Sequence, residues 1–260
     1  MSAELALIGY GEAGSTFARA GGWGRCTAAW DLLPARRAAL AADCLIADAT
    51  LGAAQLVLSL VTADAALPAA ECYAARLAPG ALYCDGNSVA PQTKRAAARA
   101  VEAAGARYVD MAILAPVNPA RLAVPLLLSG PAAPEAEAAL RLAGFTEVRV
   151  VGSEVGRASA IKMIRSVMVK GIEALTDEMM QAAAAAGVAD EVLASLDASE
   201  KATGWAARAA YNRERMTTHG ARRAAEMEEA AKTLLALGVA PVMTRGTVYR
   251  QRRAAGKEAK

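Results

Sequence analysis

The chain opens with MSAELALIGYGEAGSTFARA, in which Gly9, Gly11 and Gly14 fall within six residues, directly behind a short apolar run. Few backbone paths suit such a segment. Glycine weakens a strand interior, and a surface loop has no use for the apolar run. The pattern fits a strand over residues 5–9 that ends in a tight turn and feeds a helix over residues 13–20. In such a turn Gly9 permits the bend, Gly11 lets a ligand approach bare backbone, and Gly14 lets the helix pack close to the strand. The helix N-terminus then offers amides and a dipole to an anion, and Glu12 and Ala13 belong to that first turn.

A second observation raises the weight of the motif. Asp31 ends the stretch CTAAWD, 20 residues beyond Gly11 (31 − 11 = 20). A carboxylate there accepts hydrogen bonds from the adenosine ribose hydroxyls of a dinucleotide and repels a 2′-phosphate. The expected cofactor is NAD. NADP is the alternative, because Arg36 and Arg37 follow within reach of a phosphate.

Short apolar runs continue at residues 26–31, 56–61, 82–85 and 107–112, separated by helical patterns that include residues 34–42 and 92–104. Strands alternating with helices of this length predict an α/β fold built on a parallel sheet. The runs at 124–128 and 147–151 are expected to extend it. Beyond residue 155 the pattern changes. Ile161, Ile164, Met168, Ile172, Leu175 and Met179 recur three or four apart, predicting one long helix over residues 158–187, stopped at Gly187. The rest, to about Gly238, is helical. The expected architecture is a Rossmann-type domain over 1–155 and an all-helical domain over 156–260, the latter serving substrate binding and dimerisation.

Composition excludes several function classes. Lys+Arg 29 against Asp+Glu 26 gives a net charge of only +3, which does not predict nucleic-acid binding. The basic end, YRQRRAAGKEAK from Tyr249, reads as a solvated tail. Cys26, Cys44, Cys72 and Cys84 form no CxxC pair, and His219 is the sole histidine, so no metal site is expected and the thiols read as reduced and mostly buried. Glu4 and Glu12 interrupt the N-terminal apolar stretch, against a signal peptide. No run approaches the roughly 18 apolar residues of a membrane helix. The expectation is a soluble, cytoplasmic protein with a small-molecule substrate and no nucleic-acid or membrane partner.

Four segments together resemble the β-hydroxyacid dehydrogenases and the related 6-phosphogluconate dehydrogenases: GYGEAG at the N-terminus, LVLSLVTAD from Leu56, DGNSVAP from Asp85, and GRASAIKMIRS from Gly156. The resemblance implies that the backbone of Leu60, Val61 and Thr62 passes under the adenosine and ribose. It places Asn87 and Ser88 where the family has the S-T pair of D-x-S-T-x-x-P, as cofactor contacts, and Lys162 on the family's catalytic lysine. The family's substrate segment opens with an aspartate roughly 50 residues before that lysine. Here Asp110 stands 52 residues before it (162 − 110 = 52), which puts Leu114, Ala115 and Pro116 at the substrate-binding S-G-G positions. Two departures leave the substrate open: that S-G-G is lost, and Arg165 and Ser166 replace the asparagines of the lysine motif. The stretch from His219 is similar to a branch with a phosphogluconate-dehydrogenase-like C-terminal domain.

Lys162 also has a reading of its own. Arg165 and Ser166 follow at i+3 and i+4 on one helix face. A neutral amine can take the hydroxyl proton while hydride leaves the carbinol carbon, and both burial and the Arg165 charge favour the neutral form. Arg165 suits a substrate carboxylate, and Ser166 the reacting oxygen. Lys170, at i+8, reads as structural. His219 and Arg223 share a face with Arg222 and are candidates for the substrate pocket, a surface or capping role being the alternative; Trp205 and Tyr211 read as core. The expected activity is NAD-dependent oxidation of a small hydroxy acid. An imine reductase on the same fold and a non-catalytic dinucleotide sensor are the competing readings. The long helix, partly apolar on opposite faces, predicts a homodimer.

Overall fold

The structure is a computed structural model of the 260-residue chain and describes residues 5–24, 27–43, 45–48, 51, 54–199, 204–236 and 241–256. Cys26, Cys44 and Gly238 lie outside these residues. The chain divides into two compact units, Met1–Lys162 and Met163–Lys260.

The first unit follows the alternating pattern: β1 (Leu5–Ile8), α1 (Glu12–Gly21), β2 (Thr27–Trp30), α2 (Pro34–Ala42), β3 (Ile46–Ala47), β4 (Leu56–Ser59), α3 (Ala66–Ala74), β5 (Leu82–Asp85), α4 (Pro91–Ala103), β6 (Arg107–Ile113), β7 (Leu126–Ser129), α5 (Ala133–Leu142) and β8 (Val148–Gly152). One sheet runs in the order β3-β2-β1-β4-β5-β6-β7-β8. Strands β1 to β6 are parallel. Strand order therefore reverses between β1 and β4, where α/β sheets open a crevice at the carboxyl ends of their strands. Alternate residues serve the two faces, as the two-residue period of a strand requires. Leu7, Leu58, Cys84 and Met111 join one apolar cluster, and Ala6, Val57, Tyr83 and Tyr108 the other.

One expectation about the sheet is corrected. Strand β7 runs antiparallel to β6, and β8 runs parallel to β7, so the last two strands do not extend a parallel sheet. The physical reason lies in the connection. Residues 114–125 hold no crossover helix, only a 3-10 turn at Arg121–Ala123, and a parallel return needs a crossover.

The second unit contains most of α6 (Arg157–Ala186), then α7 (Ala189–Ser199), α8 (Trp205–Ala236) and α9 (Val242–Ala254). The basic stretch from Tyr249 is, as far as Ala254, the second half of α9 rather than a solvated tail, and α9 buries Thr244, Thr247 and Gln251; residues 257–260 lie outside the described residues. Helix α9 packs closely on α8 because Gly220 has no side chain: a Cβ there would sit 2.3 Å from the carbonyl oxygen of Gln251. Tyr211 is exposed rather than part of the core, with the Arg215 guanidinium 5.3 Å from its ring centre. Cys84 is buried as expected, but Cys72 is exposed.

Helix α6 leaves part of its apolar pattern exposed. Ile161, Ile164, Met168 and Ile172 are 37%, 48%, 65% and 38% exposed, whereas Ser166, Lys170, Glu173 and Thr176 are buried. Within the second unit Lys170 pairs with Glu226 at 2.7 Å, and Glu173 pairs with Arg223 of α8. The side chains of Leu175, Met179 and Trp205 are outside the described residues.

Candidate dinucleotide and acid–base site

Each glycine of the turn has a distinct steric reason. Gly9 has φ +95°, and a Cβ there would lie 2.5 Å from the Leu60 carbonyl oxygen. A Cβ on Gly14 would lie 2.4 Å from the Gly9 carbonyl oxygen, so only glycine lets α1 approach β1. Around Gly11 a Cβ would meet nothing within 4 Å, which leaves room for a ligand against the backbone. Helix α1 begins behind Gly11 with no side-chain cap. The first-turn amides of Glu12, Ala13 and Gly14 have no acceptor within the helix and are disposed to bind an anion.

Asp31 has a role in the turn itself. Its Oδ2 accepts from the Tyr10 amide at 2.8 Å and its Oδ1 from the Leu33 amide at 2.8 Å. The carboxylate is thereby fixed beside the glycines, and each oxygen retains a second lone pair for a ribose hydroxyl. Arg37 donates to the carbonyls of Asp31 and Leu32 and lies over the Trp30 ring, so it is engaged in holding the turn, while Arg36 is exposed. Tyr10 donates its hydroxyl to Asp43 at 2.7 Å. Burial first, then Asp43, pushes that phenol's pKa up and keeps it a donor.

Asn87 is 3% exposed, and its polar atoms are used inside the fold. Its side chain accepts from the Val61 amide at 2.7 Å and donates to Ser59 Oγ at 3.0 Å, and its own amide donates to Asp85 Oδ1 at 2.9 Å. It stitches the carboxyl end of β4 to the loop after β5. Leu60 is buried, Val61 half-buried and Thr62 exposed along the same strand end. Ser88, the next residue, is half-buried and accepts a hydrogen bond from Lys162 Nζ.

Behind this contact lies a buried ionic network. Lys94 of α4 is fully buried and donates to the carbonyl of Asp85 at 2.5 Å and to Asp85 Oδ1 at 2.9 Å. Its ammonium is 3.5 Å from Asp110 Oδ1. Tyr108 donates to Asp85 Oδ2 at 2.5 Å, and its pKa is raised first by burial and then by Asp85. Asp110 Oδ2 accepts from Ser129 Oγ at 3.1 Å and from the amides of Gly156 and Ser159 at 3.1 and 2.9 Å. Asp110 therefore caps the start of α6, the helix that bears Lys162, and favours its positive dipole end. Lys94 is a functional neighbour that the sequence reading missed. The signal was present: Lys94 shares a helix face with Ala97, Ala98 and Val101 at i+3, i+4 and i+7, the spacing of a core stripe.

Known proteins place this geometry. The NAD-binding domain of 6-phosphogluconate dehydrogenase matches residues 4–152, more than half of the chain. The chain belongs to that family. A domain of unknown function, DUF1932, matches residues 183–254. A conserved hypothetical protein from Sinorhizobium meliloti is 36% identical, with a TM-score of 0.76 over 98% of this chain and 89% of its own. A conserved protein of unknown function, described as structurally similar to 3-hydroxyacid dehydrogenases, is 28% identical, with a TM-score of 0.75 over 97% of this chain and 96% of its own. An uncharacterized 28.5 kDa protein of Methanothermus fervidus is 30% identical over 56% of this chain. The match spans about half, 54%, of that relative's length.

The first unit is thus an NAD(P)-binding domain, and its residues fit the dinucleotide: an open space over Gly11, a helix start without a cap, and a fixed carboxylate at the end of β2. The remaining sequence candidates are spread more widely. Leu114 is half-buried, and Ala115 and Pro116 are exposed, in the segment after β6. Arg165 is exposed, whereas Ser166 is buried and accepts from Lys170 Nζ at 3.3 Å. His219 is half-buried, and Arg223 is buried against Glu173. Among the described residues no helix is long and apolar enough to cross a membrane, and no cluster of His, Cys, Asp or Glu could hold a metal ion.

Proposed function

We propose that the protein is an NAD-preferring oxidoreductase of a small hydroxy acid, with Lys162 as its general acid–base. The supporting observation is the hydrogen bond from Lys162 to Ser88. It holds the amine at the carboxyl end of β5, on the same edge of the parallel sheet where β1 delivers the glycine turn. A bound nicotinamide supplies the hydride acceptor. Lys162 takes the hydroxyl proton as the carbinol becomes a carbonyl, and returns it in the reverse direction. Asp31 favours NAD through the ribose hydroxyls and opposes a 2′-phosphate. Arg165, Ser166, His219 and Arg223, with Leu114, Ala115 and Pro116, are the proposed substrate-side groups.

The helical unit is proposed to serve substrate binding and dimerisation. The exposed stripe Ile161, Ile164, Met168 and Ile172 supports a homodimer, since a second copy would bury it.

Titration with NADH and NADPH, then a panel of hydroxy acids with either cofactor, tests the proposal. Lys162→Ala should leave NADH affinity nearly unchanged and lower turnover by roughly 100- to 10,000-fold. Lys162→Arg should not restore it, because arginine keeps its charge but does not release its proton at working pH. Full activity in Lys162→Ala, or tighter NADPH than NADH binding, would sink the corresponding half of the proposal.

A further inference from the structure

We infer that Ser88 is a positioning residue for the acid–base amine: its hydroxyl holds Lys162 Nζ at the carboxyl edge of the sheet and favours the protonated form. This rests on the proposed role of Lys162 and goes beyond the cofactor contact that the family resemblance implies for Ser88.

A lysine amine ends a flexible four-carbon stem, yet a base must sit within hydrogen-bond reach of the proton it takes. Something has to fix it. In this chain Lys162 Nζ donates to Ser88 Oγ, and both ends of that contact are anchored. On one side Asn87, immediately before Ser88, is locked by three hydrogen bonds to Ser59, Val61 and Asp85. Val89, immediately after, is fully buried, and its amide donates to the Asn87 carbonyl at 3.1 Å. Ser88 has little freedom between them. On the other side the first turn of α6 is pinned through Gly156, Ala158 and Ser159 to Asp110 and Ser129. Lys94 joins the two anchors, because it contacts both Asp85 and Asp110.

The chemistry of the pair suits an amine that gains and loses a proton. A serine hydroxyl accepts from an ammonium and can donate to a neutral amine, so the contact survives both states. It is stronger with the charged partner. In the oxidation direction the substrate O–H bond breaks, an N–H bond forms on Lys162, and the hydride leaves the same carbon for the nicotinamide. Ser88 thus favours the state Lys162 reaches as that step proceeds.

The test needs no substrate. The protein is acetylated with limiting acetic anhydride at fixed pH near 8, and modification of each lysine is read by peptide mass spectrometry. Only the neutral amine reacts. Removing an acceptor of the ammonium should release more neutral amine, so Ser88→Ala should raise Lys162 labelling about two- to tenfold, the worth of one hydrogen bond. Lys170 should be unchanged, and Ser88→Thr, which keeps the hydroxyl, should return Lys162 to the wild-type rate. Unchanged Lys162 labelling in Ser88→Ala overturns the inference. So does a large loss of NADH affinity in that variant without a labelling change, which would make Ser88 a cofactor ligand alone. Full turnover in Lys162→Ala instead overturns the acid–base role itself, whatever the labelling of Lys162 shows.

Discussion

In the dinucleotide-binding unit the buried charges form a small knot inside an otherwise apolar interior. Lys94, Asp85 and Asp110 sit between α4 and the sheet, and Leu, Val, Tyr and Phe side chains pack on both sheet faces around them. Among the described residues of the helical unit the balance is different. The buried side of α6 includes Ser166, Lys170, Glu173 and Thr176 beside Met163 and Ala174, and the apolar cluster there comprises Met163, Met227 and Ala230 with Val167 and Val248 against it. The stripe Ile164, Met168 and Ile172 of the same helix is exposed. The first unit thus buries two large apolar clusters, whereas the described apolar cluster of the second is small. Burial of apolar area is the main stabilising term in folding, and a contiguous exposed apolar stripe is the kind of surface that interaction partners cover.

The largest effect is expected where the knot is cut. Lys94→Met keeps volume but leaves two buried carboxylates facing each other without their cation. Removing one partner of a buried ionic pair costs about 3–5 kcal/mol. Because Asp110 also caps α6, the loss should reach the turn that bears Lys162. Urea unfolding of the purified variant checks this. A change below about 1 kcal/mol would mean that the tyrosine, serine and amide donors already suffice, and that Lys94 is dispensable to the first unit.

The second test addresses the outward stripe. Ile164→Glu and Met168→Glu place charge on positions that are 48% and 65% exposed in the single chain. On a monomer such substitutions are close to neutral. At a helical dimer interface they should cost about 2 kcal/mol or more of association, as central apolar contacts do. Light scattering at micromolar concentration should give a dimer for the wild type and a monomer for the variants. A monomeric wild type would remove the contrast between the units.

The same contrast explains how much was legible in the sequence. The glycine turn, Asp31 and the strand–helix alternation are local rules, and each matched an element. The helix that carries Lys162 was legible because its periodicity is local. The direction of β7 was not, since it depends on what the 114–125 connection lacks rather than on the strand itself. Lys94 and the hydrogen bonds that Asn87 makes inside the fold were missed because their partners, Asp110 and Ser59, lie in other strands, and chain distance hides such bonds. Which side of α6 is covered was not legible for a similar reason. Periodicity reports that a helix has an apolar stripe, but not which surface, its own unit or a second copy, covers it. The two halves of α9 were separated by composition: its arginines read as a solvated tail, while Gly220, which lets α9 dock, is 31 residues from Gln251 (251 − 220 = 31).

The smallest effect is expected from the buried lysine of the helical unit, and it sharpens the comparison because the same substitution is used. Lys170 is 6% exposed and pairs with Glu226, yet its pKa is lowered: burial first, with the charges of Arg223 and Arg222, outweighs the favour of Glu226. Lys170→Met removes that penalty. It also leaves Glu226 with a second cation, Arg222 at 3.7 Å, and with some access to water, so no carboxylate is stranded as in Lys94→Met. The expected change at pH 7 is within about 1 kcal/mol of zero. The pH dependence carries the sign. A lysine whose folded pKa is depressed binds fewer protons in the folded than in the unfolded protein between the two values. Its contribution is therefore least favourable below the folded pKa and improves as pH rises toward the ordinary value of 10.5. Wild type should gain stability on Lys170→Met as pH is raised through the alkaline range, measured by urea unfolding of both proteins at several pH values. A difference between the two that stays constant with pH, or a loss as large as that of Lys94→Met, would show that the helical unit depends on its buried ions as the dinucleotide-binding unit does.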